Sequence, residues 1–224
     1  MSHHQIAVVI TTFNSDQFII ETVASVRAQT LQPAEIVVID NGSTDKTEEL
    51  VNSMGIPFFV QTEGRVGTSR NLGLAKTASP LIKFLDGDDL LLPDALEILC
   101  DGLESSQAPY VYGKSNNFTD VTYATTAATN IAHSDVPIAS PTVLNSLMQR
   151  SIFETFGLPE EDNHSWNRWF STAQSHGLIA HIVDAHVGLR RIHGANVSLQ
   201  EDAKSEVFRL LAERIKQNRA KNEA

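Results

Sequence analysis

The sequence predicts a single α/β domain with a mostly parallel central sheet and helices on both of its faces. Short apolar runs rich in β-branched residues, typical of buried strands, recur through the first half of the chain. Segments with apolar residues at helical spacing lie between these runs, and an alternating strand–helix order is typical of parallel sheets. The 224 residues are enough to bury one sizeable core.

Four strands and four helices alternate in the first half. The predicted strands are residues 6–10, 35–40, 57–61 and 81–85. The predicted helices are residues 16–28, a segment that Ser43 or Thr44 would N-cap and Gly55 would end, residues 67–77, and residues 93–103 with Pro93 in the first turn.

The second half is less regular. Residues 110–113 form a short predicted strand, 114–137 a long polar loop, 142–157 and 162–176 helical or mixed segments, and 178–192 a strand. An amphipathic helix is expected from residue 201 onward. We therefore expect a domain over residues 1–200, with halves 1–110 and 111–200, followed by a helix over 201–224.

Composition excludes several classes of function. The 17 basic and 27 acidic residues give a net charge of −10, which disfavours a general nucleic-acid binder but allows one phosphate group held by a metal or a few cations. The single Cys100 forms no internal disulfide and no cysteine-ligated metal site. No apolar run is long enough for a signal peptide or a membrane span, so we expect a soluble, cytoplasmic protein.

The strongest local pattern is an acidic turn after the strand 81–85. Asp86, Asp88 and Asp89 follow the strand directly, and the stretch 86–94 contains four acids and no basic residue. Ligands bind beyond the carboxyl ends of parallel strands, and crowded carboxylates suit Mg²⁺ or Mn²⁺. The alternative is a solvated acidic turn that caps the next helix.

Polar residues also follow the first two strands. Asp40 ends the second strand, at a position where a nucleotide ribose or base is commonly bound, and Gly42 permits a tight turn. The alternative is an Asx turn that only connects strand and helix. The first strand ends in Thr11, Thr12, Phe13 and Asn14. Three polar strand ends at one edge indicate a binding site there.

A glycine-rich segment, residues 64–73, opens a helix and contains Arg65 and Arg70. Helix N-termini and arginines both favour anions, which indicates a diphosphate nearby. The alternative is a surface arginine and a glycine used for close helix packing. The segment is neither a P-loop nor the dinucleotide-binding pattern, which disfavours kinase-like and NAD-dependent functions.

Taken together, these segments resemble the inverting family 2 glycosyltransferases, whose fold is the GT-A type. The resemblance extends over most of the chain, residues 5–200, and is carried by residues 8–14, 38–45, 67–74 and 84–89, with 141–157 resembling the acceptor-side segment. It implies transfer of a sugar from a nucleotide-diphosphate donor, most commonly a UDP-sugar. The acceptor would be a glycan, a lipid-linked molecule or a small molecule, selected by residues 114–140.

The resemblance also implies roles for individual residues. Asp40 would bind the nucleotide base, with Thr11 and Phe13 packed around it and Asn14 in the same donor-binding segment. Asp86 would face the ribose, Asp88 the divalent metal (Mn²⁺ or Mg²⁺), and Arg70 the diphosphate. His193, in an Arg-x-His element at Arg191, would be a further metal ligand. The alternative for His193 is a surface-loop histidine.

The catalytic base is where this sequence departs from the family pattern, in which Glu-Asp directly precedes an aromatic-led helix. Here three residues separate Glu161 and Asp162 from Trp166. If the helix starts early, Asp162 is the base, with Glu161 beside it. If the register follows Trp166, the base position falls near His164 or Ser165 and Asp162 is only an N-cap. We predict Asp162, with His164 as the substitute.

Two other functions remain open. Without a working base, the chain would be a catalytically weak or inactive sugar-nucleotide-binding or scaffold protein of the same fold. A nucleotidyltransferase is disfavoured, because no glycine-rich loop with a following arginine comes after the first strand.

The C-terminal helix is basic, with six Lys or Arg and two Glu between residues 204 and 221. It would lie peripherally on an anionic membrane, or pack on its own domain or on a second subunit of a homodimer.

Overall fold

The structure is a computed structural model that describes residues 5–62, 65–119, 137–160, 165–193 and 196. The chain forms two compact units, Met1–Phe118 with Ala132–Arg191, and Thr119–Ile131 with Ile192–Ala224. The first unit contains the sheet and its helices. In the second unit, the described residues are Thr119, Ile192, His193 and Asn196.

Strands and helices alternate through the first half of the chain, and strands predominate after α4. The elements are β1 (Ile6–Thr12), α1 (Ile19–Arg27), β2 (Glu35–Asp40), α2 (Thr47–Ser53), β3 (Phe58–Val60), α3 (Val66–Ala75), β4 (Leu81–Asp86), β5 (Leu90–Leu91), α4 (Ala95–Ser106), β6 (Tyr110–Thr119), β7 (Ile138–Ala139), β8 (Ser146–Gln149), α5 (Ser151–Phe156), α6 (Ser165–Ser175) and β9 (Ala180–Ile192).

The described strands form one sheet in the order β3-β2-β1-β4-β8-β6-β9-β5, with β7 paired to β6. The strands β3, β2, β1 and β4 are mutually parallel, which confirms the alternating strand–helix prediction for the first half. The strand β8 runs antiparallel to β4 and β6, and β5 runs antiparallel to β9. The three parallel pairs, β1 with β2, β1 with β4 and β2 with β3, all lie in the first half of the chain.

Both faces of the central sheet are buried. Along β1, Ile6, Val8 and Ile10 belong to one apolar cluster, which also includes side chains of α1, α2 and α4. Ala7 and Val9 belong to a second cluster with side chains of α3, α5 and α6. Because successive strand residues point to opposite faces, this division confirms that helices cover the sheet on both sides.

The helix α3 packs very closely on β1. A Cβ atom added to Gly73 would lie 2.2 Å from Cγ1 of Val9. Only glycine fits this contact without a shift, so Gly73 has the close-packing role that the sequence offered as the alternative for this segment.

Several sequence predictions are corrected by the structure. The helix α2 begins at Thr47, not after Ser43 or Thr44, because the Ser43 hydroxyl is bonded to Asp40 and to the backbone of Asn14. Residues 114–119 extend β6 and are not part of a loop. The short strands β5 and β7 were not predicted, and residues 142–157 divide into β8 and α5.

The predicted helix over 201–224 lies outside the described residues, so its membrane or dimer contact and the domain boundary at residue 200 stay predictions. In the part of the chain that the structure describes, no helix has the length and apolar character needed to cross a membrane.

Candidate active site

The carboxyl ends of β2, β1 and β4 meet at one edge of the sheet. Thr11 on β1 is in register with Asp86 on β4, and its neighbour Thr12 is in register with Asp40 on β2. The side chains predicted from three separate strand ends are therefore neighbours in space.

Asp86 is held by two side chains. Its Oδ1 accepts hydrogen bonds from Nη2 of Arg70 at 2.9 Å and from the Thr11 hydroxyl at 3.1 Å. The Arg70 side chain is 8% exposed, whereas that of Asp86 is 39% exposed. Arg70 is therefore not a surface arginine, which was the alternative interpretation. Its buried guanidinium is paired with a carboxylate that is partly exposed to solvent.

The turn after Asp86 is fixed by its backbone. The Gly87 N–H donates to the carbonyl of Thr11 at 2.8 Å, and its carbonyl accepts from the Thr22 hydroxyl at 3.0 Å. A Cβ atom on Gly87 would lie 2.7 Å from Oγ1 of Thr12. The turn thus passes so close to β1 that a side chain at this position would displace it.

Asp89 is buried at the end of the same turn and accepts a hydrogen bond from the backbone N–H of Arg191 at 2.9 Å. Burial raises the pKa of Asp89 well above its usual value, and the nearby Asp88 and Asp86 carboxylates raise it further. The acidic stretch contains no basic residue in sequence, but folding brings Arg70 and Arg191 to it. These two arginines therefore balance part of the negative charge of the acidic turn, the charge from which a bound divalent cation was predicted.

Asp40 is buried and forms the Asx turn that the sequence offered as its alternative role. Its Oδ2 accepts from the N–H groups of Gly42 at 3.0 Å and Ser43 at 2.7 Å, and its Oδ1 accepts from the Ser43 hydroxyl. Gly42 has a φ of +87°, which favours glycine. The carboxylate is fixed at the sheet edge, and base binding by Asp40 stays a prediction.

The loops after β1 and β2 are joined by Asn14. Its N–H donates to the Ser43 hydroxyl at 2.7 Å, and its Oδ1 accepts from the Thr44 N–H at 2.8 Å. Asn14 has a φ of +48°, a left-handed conformation that asparagine tolerates. The neighbouring Phe13 is 56% exposed, so its ring is accessible at this edge.

The first turns of α3 contact two further segments, which the sequence analysis missed. The Ser69 hydroxyl donates to Oδ1 of Asn41 at 3.1 Å, just after β2. The Asn71 side chain donates from Nδ2 to the carbonyl of Pro159 at 3.0 Å, in the segment before the predicted catalytic base. With Arg70 on Asp86, three consecutive residues of α3 contact three different parts of the site.

Some polar atoms of β1 and of the first turns of α3 are buried without a hydrogen-bond partner among the described residues. They are Oγ1 of Thr12, Oγ1 of Thr68, Nε of Arg70 and Oδ1 of Asn71. Buried polar atoms are normally hydrogen-bonded, so these atoms mark positions for a polar ligand or for water.

Binding of a divalent cation at the acidic turn stays a prediction. Within the described residues, no three His, Cys, Asp or Glu side chains form a group that could hold a metal. Mg²⁺ and Mn²⁺ are hard cations, and Mg²⁺ is usually bound through one or two carboxylates together with substrate phosphates. Asp88, next to Asp86, supplies donors of this kind.

Of the other predicted catalytic and metal residues, the structure describes His193. The backbone N–H of His193 donates to Oδ1 of Asn196 at 2.6 Å within the second unit, and metal binding by His193 stays a prediction. Glu161, Asp162 and His164 lie outside the described residues.

Lys83 is a buried cation that the sequence analysis missed. It lies on β4, fully buried, and its Nζ donates to the carbonyls of Val143 and Ser146 at 3.1 Å each and to that of Leu144. Burial lowers the pKa of Lys83 to about 7, against the opposing effect of Asp89 and Asp86. The side chain attaches β4 to the start of β8 and to the residues just before it.

Comparison with known proteins identifies relatives over most of the chain. A family model described as "Glycosyl transferase family 2" matches residues 7–176. An uncharacterized glycosyltransferase of Rickettsia conorii is 28% identical over 218 residues, covering 91% of this chain and 35% of the relative. The poly(ribitol-phosphate) beta-N-acetylglucosaminyltransferase TarP of Staphylococcus aureus is 34% identical over 121 residues, covering 50% of this chain and 34% of TarP. The chain thus spans about a third of the length of these relatives.

Solved structures of S. aureus TarS share the fold. TarS 1-349 in complex with UDP-GlcNAc superposes with a TM-score of 0.71 at 19% identity, over 93% of this chain and 65% of that one. The complex with UDP gives a TM-score of 0.65 at 17% identity, over 84% and 60%. The likeness confirms the predicted GT-A fold.

Proposed function

The chain belongs to glycosyl transferase family 2, and we propose that it moves a sugar from a nucleotide-diphosphate donor to an acceptor hydroxyl with inversion at the sugar carbon. The observation that carries this proposal is the meeting of Asp40, Thr11 and Asp86 at the carboxyl ends of three adjacent parallel strands, with Arg70 buried against Asp86. TarS has been solved with UDP and UDP-GlcNAc, which supports a UDP-sugar as the donor.

The donor nucleotide would bind along β1, β2 and β4. The Oδ1 of Asp40 has one hydrogen bond from Ser43, which leaves acceptor capacity for an N–H group of the base. The exposed ring of Phe13 offers a stacking surface. Asp86 keeps a solvent-facing carboxylate that would accept a hydrogen bond from a ribose hydroxyl.

The leaving nucleoside diphosphate would be stabilised by Arg70. Its guanidinium is already oriented by Asp86, and its Nε is buried without a partner among the described residues. A preoriented donor aimed at developing negative charge lowers the barrier, because no reorganisation is needed during reaction. A divalent cation, Mn²⁺ or Mg²⁺, would be held by Asp88 and would supply further charge neutralisation at the diphosphate.

Asp162 would act as the base, with Glu161 beside it and His164 as the alternative. It would take the proton from the acceptor hydroxyl as the hydroxyl oxygen bonds to the sugar C1 and the bond from C1 to the phosphate oxygen breaks. Attack from the face opposite the leaving group inverts the anomeric centre. Positioned general bases contribute about 10²- to 10⁴-fold to such rates.

Nucleotide binding is the first test. The melting temperature would be measured with UDP, GDP, ADP and CDP at one concentration, each with and without Mn²⁺, since a ligand that binds more tightly stabilises the folded state more. We expect UDP with Mn²⁺ to give the largest increase. Release of UDP from UDP-sugars, with and without candidate acceptors, then measures turnover.

Three variants separate binding from catalysis. Asp88→Ala is expected to remove the Mn²⁺-dependent part of the UDP effect and to lower turnover. Asp162→Asn is expected to bind UDP like the wild type and to lose about 10²-fold or more in turnover. Asp101→Ala, an exposed carboxylate on α4, is the matched control and should behave like the wild type.

If neither Asp88→Ala nor Asp162→Asn lowers turnover, the site assignment is wrong. If UDP binds but no donor turns over with any acceptor, the chain is a sugar-nucleotide-binding protein and not an active transferase.

A further inference from the structure

Arg191 is a fully buried arginine at the end of β9. Its guanidinium lies between two aromatic rings, 4.9 Å from the ring centre of Phe18 and 4.6 Å from that of Phe118. Its Nη2 is paired with the carboxylate of Glu21, a side chain that is 62% exposed. The rings and the ion pair together fix the plane and the position of the guanidinium.

The same residue holds the second half of the acidic turn. The Nε of Arg191 donates to the backbone carbonyl of Asp88 at 3.0 Å, and its backbone N–H donates to Oδ1 of Asp89 at 2.9 Å. The first half of the turn is held separately, by Arg70 and Thr11 on the Asp86 carboxylate. Arg191 therefore holds the backbone carbonyl of Asp88 directly, and it also holds the carboxylate of the next residue, Asp89.

We propose that Arg191 is a positioning residue for the Asp88 carboxylate. Binding of a divalent cation together with a nucleoside diphosphate then depends on Arg191, although its side chain contacts neither the cation nor the diphosphate. This inference rests on the proposed function, in which Asp88 holds the cation. Partners that orient a metal ligand, without contacting the metal, commonly contribute 10- to 100-fold to metal affinity.

Arg150 provides a matched comparison within the chain. Its guanidinium makes three hydrogen bonds, to the carbonyls of Ser79 and Leu74 and to the Thr77 hydroxyl. These partners precede β4 in the chain, whereas the acidic turn follows the end of that strand. Replacing Arg150 should therefore affect stability without affecting the turn.

The experiment measures Mn²⁺ binding in the presence of UDP, from the electron paramagnetic resonance signal of free Mn²⁺. The variants are Arg191→Lys, Glu21→Gln and the control Arg150→Lys, each with its melting temperature. We expect Arg191→Lys to weaken Mn²⁺ binding roughly tenfold or more, because lysine keeps the charge but lacks Nε and the planar fork. Glu21→Gln should cause a smaller loss in the same direction, and Arg150→Lys should lower only the melting temperature.

The outcomes are distinct. If Arg191→Lys folds and binds Mn²⁺ with UDP as tightly as the wild type, the positioning role of Arg191 is wrong and the proposed function is unaffected. If Arg191→Lys does not fold, wild-type affinity in Glu21→Gln overturns it, and weakened binding in Glu21→Gln supports it. A wild-type chain that binds no Mn²⁺ with UDP overturns the proposed function and this inference with it.

Discussion

Arg70 donates from Nη2 to Oδ1 of Asp86 over 2.9 Å, and this ion pair connects the first turns of α3 to the carboxyl end of β4. The arginine is buried and the aspartate is more than a third exposed, at 39% of its side chain. Solvent screening at the exposed carboxylate limits what the pair adds to stability. Its main effect is to orient the buried guanidinium of Arg70 toward the edge of the sheet. We therefore expect the pair to affect turnover of the sugar donor.

Replacing Arg70 should therefore reduce activity more than stability. Arg70→Ala is expected to lower kcat for donor turnover by about 10²- to 10³-fold, the usual effect of removing one preoriented donor. The screened ion pair itself should account for at most about 1 kcal/mol of the loss in unfolding free energy. Arg70→Lys should be intermediate, because lysine cannot form the planar fork. Steady-state UDP release and urea unfolding measure the two effects.

Arg27→Ala is the control for Arg70, since Arg27 is exposed and donates to the carbonyl of Met54 away from the sheet edge. Full turnover by a folded Arg70→Ala chain would contradict the role given to this arginine.

Asn71 should affect acceptor chemistry and leave donor binding unchanged. Its Nδ2 bond to Pro159 reaches the segment that precedes the predicted base, and not the nucleotide edge. Asn71→Asp cannot donate this bond, so kcat should fall about tenfold, which corresponds to about 1.4 kcal/mol, while KM for the donor stays unchanged. Asn52→Ala, on the exposed face of α2, is the control. An increase in donor KM with unchanged kcat would refute this expectation.

The parallel half of the fold was predictable because its information is local. Each strand is a short apolar run, each is followed by a helical pattern, and the polar residues at the strand ends then share one edge. The position of Asp40 and Asp86 at that edge needed no knowledge of distant contacts.

The structural features that could not be predicted from the sequence depend on long-range contacts. Arg191 and Asp89 are 102 positions apart, so no local pattern shows that the acidic turn is bonded to β9. The start of α2 was placed too early because the Ser43 hydroxyl is bonded within its own turn and to the β1 loop. Lys83 interrupts an apolar strand, and its three carbonyl partners come from a segment at least 60 residues away.

The contact between Gly73 and Val9 predicts a compensating pair of substitutions. Gly73→Ala places a methyl group 2.2 Å from Cγ1 of Val9, and such overpacking typically costs about 1–3 kcal/mol. Val9→Ala alone removes buried methyl groups and leaves a cavity, which also destabilises. In the double variant the new methyl group fills part of that cavity, so the loss should be smaller than the sum of the single losses. Urea unfolding of all four proteins checks this, and additive losses would contradict it.

Lys83 predicts a pH dependence of stability with a definite sign. Burial lowers its pKa from the usual 10.5 to about 7 in the folded chain, so between these pH values the folded state binds fewer protons than the unfolded state. Unfolding free energy should therefore rise with pH over this window, by at most about 1.4 kcal/mol per unit, and this contribution should be lost as the pH falls through about 7. The reference is Lys83→Met, which has similar volume and no titrating group.

The quantity to measure is the difference in unfolding free energy between wild type and Lys83→Met at pH 7, 8, 9 and 10. Taking the difference cancels the groups that titrate in both proteins, among them Tyr110 and Cys100, whose pKa values are raised by burial. The unfolding free energy of the wild type should rise relative to that of Lys83→Met as the pH rises. The reason is that neutral Lys83 can be buried without burying a charge. A difference that stays constant from pH 7 to 10 would show that Lys83 keeps its proton in the folded chain, with the three carbonyls compensating for the burial of its charge.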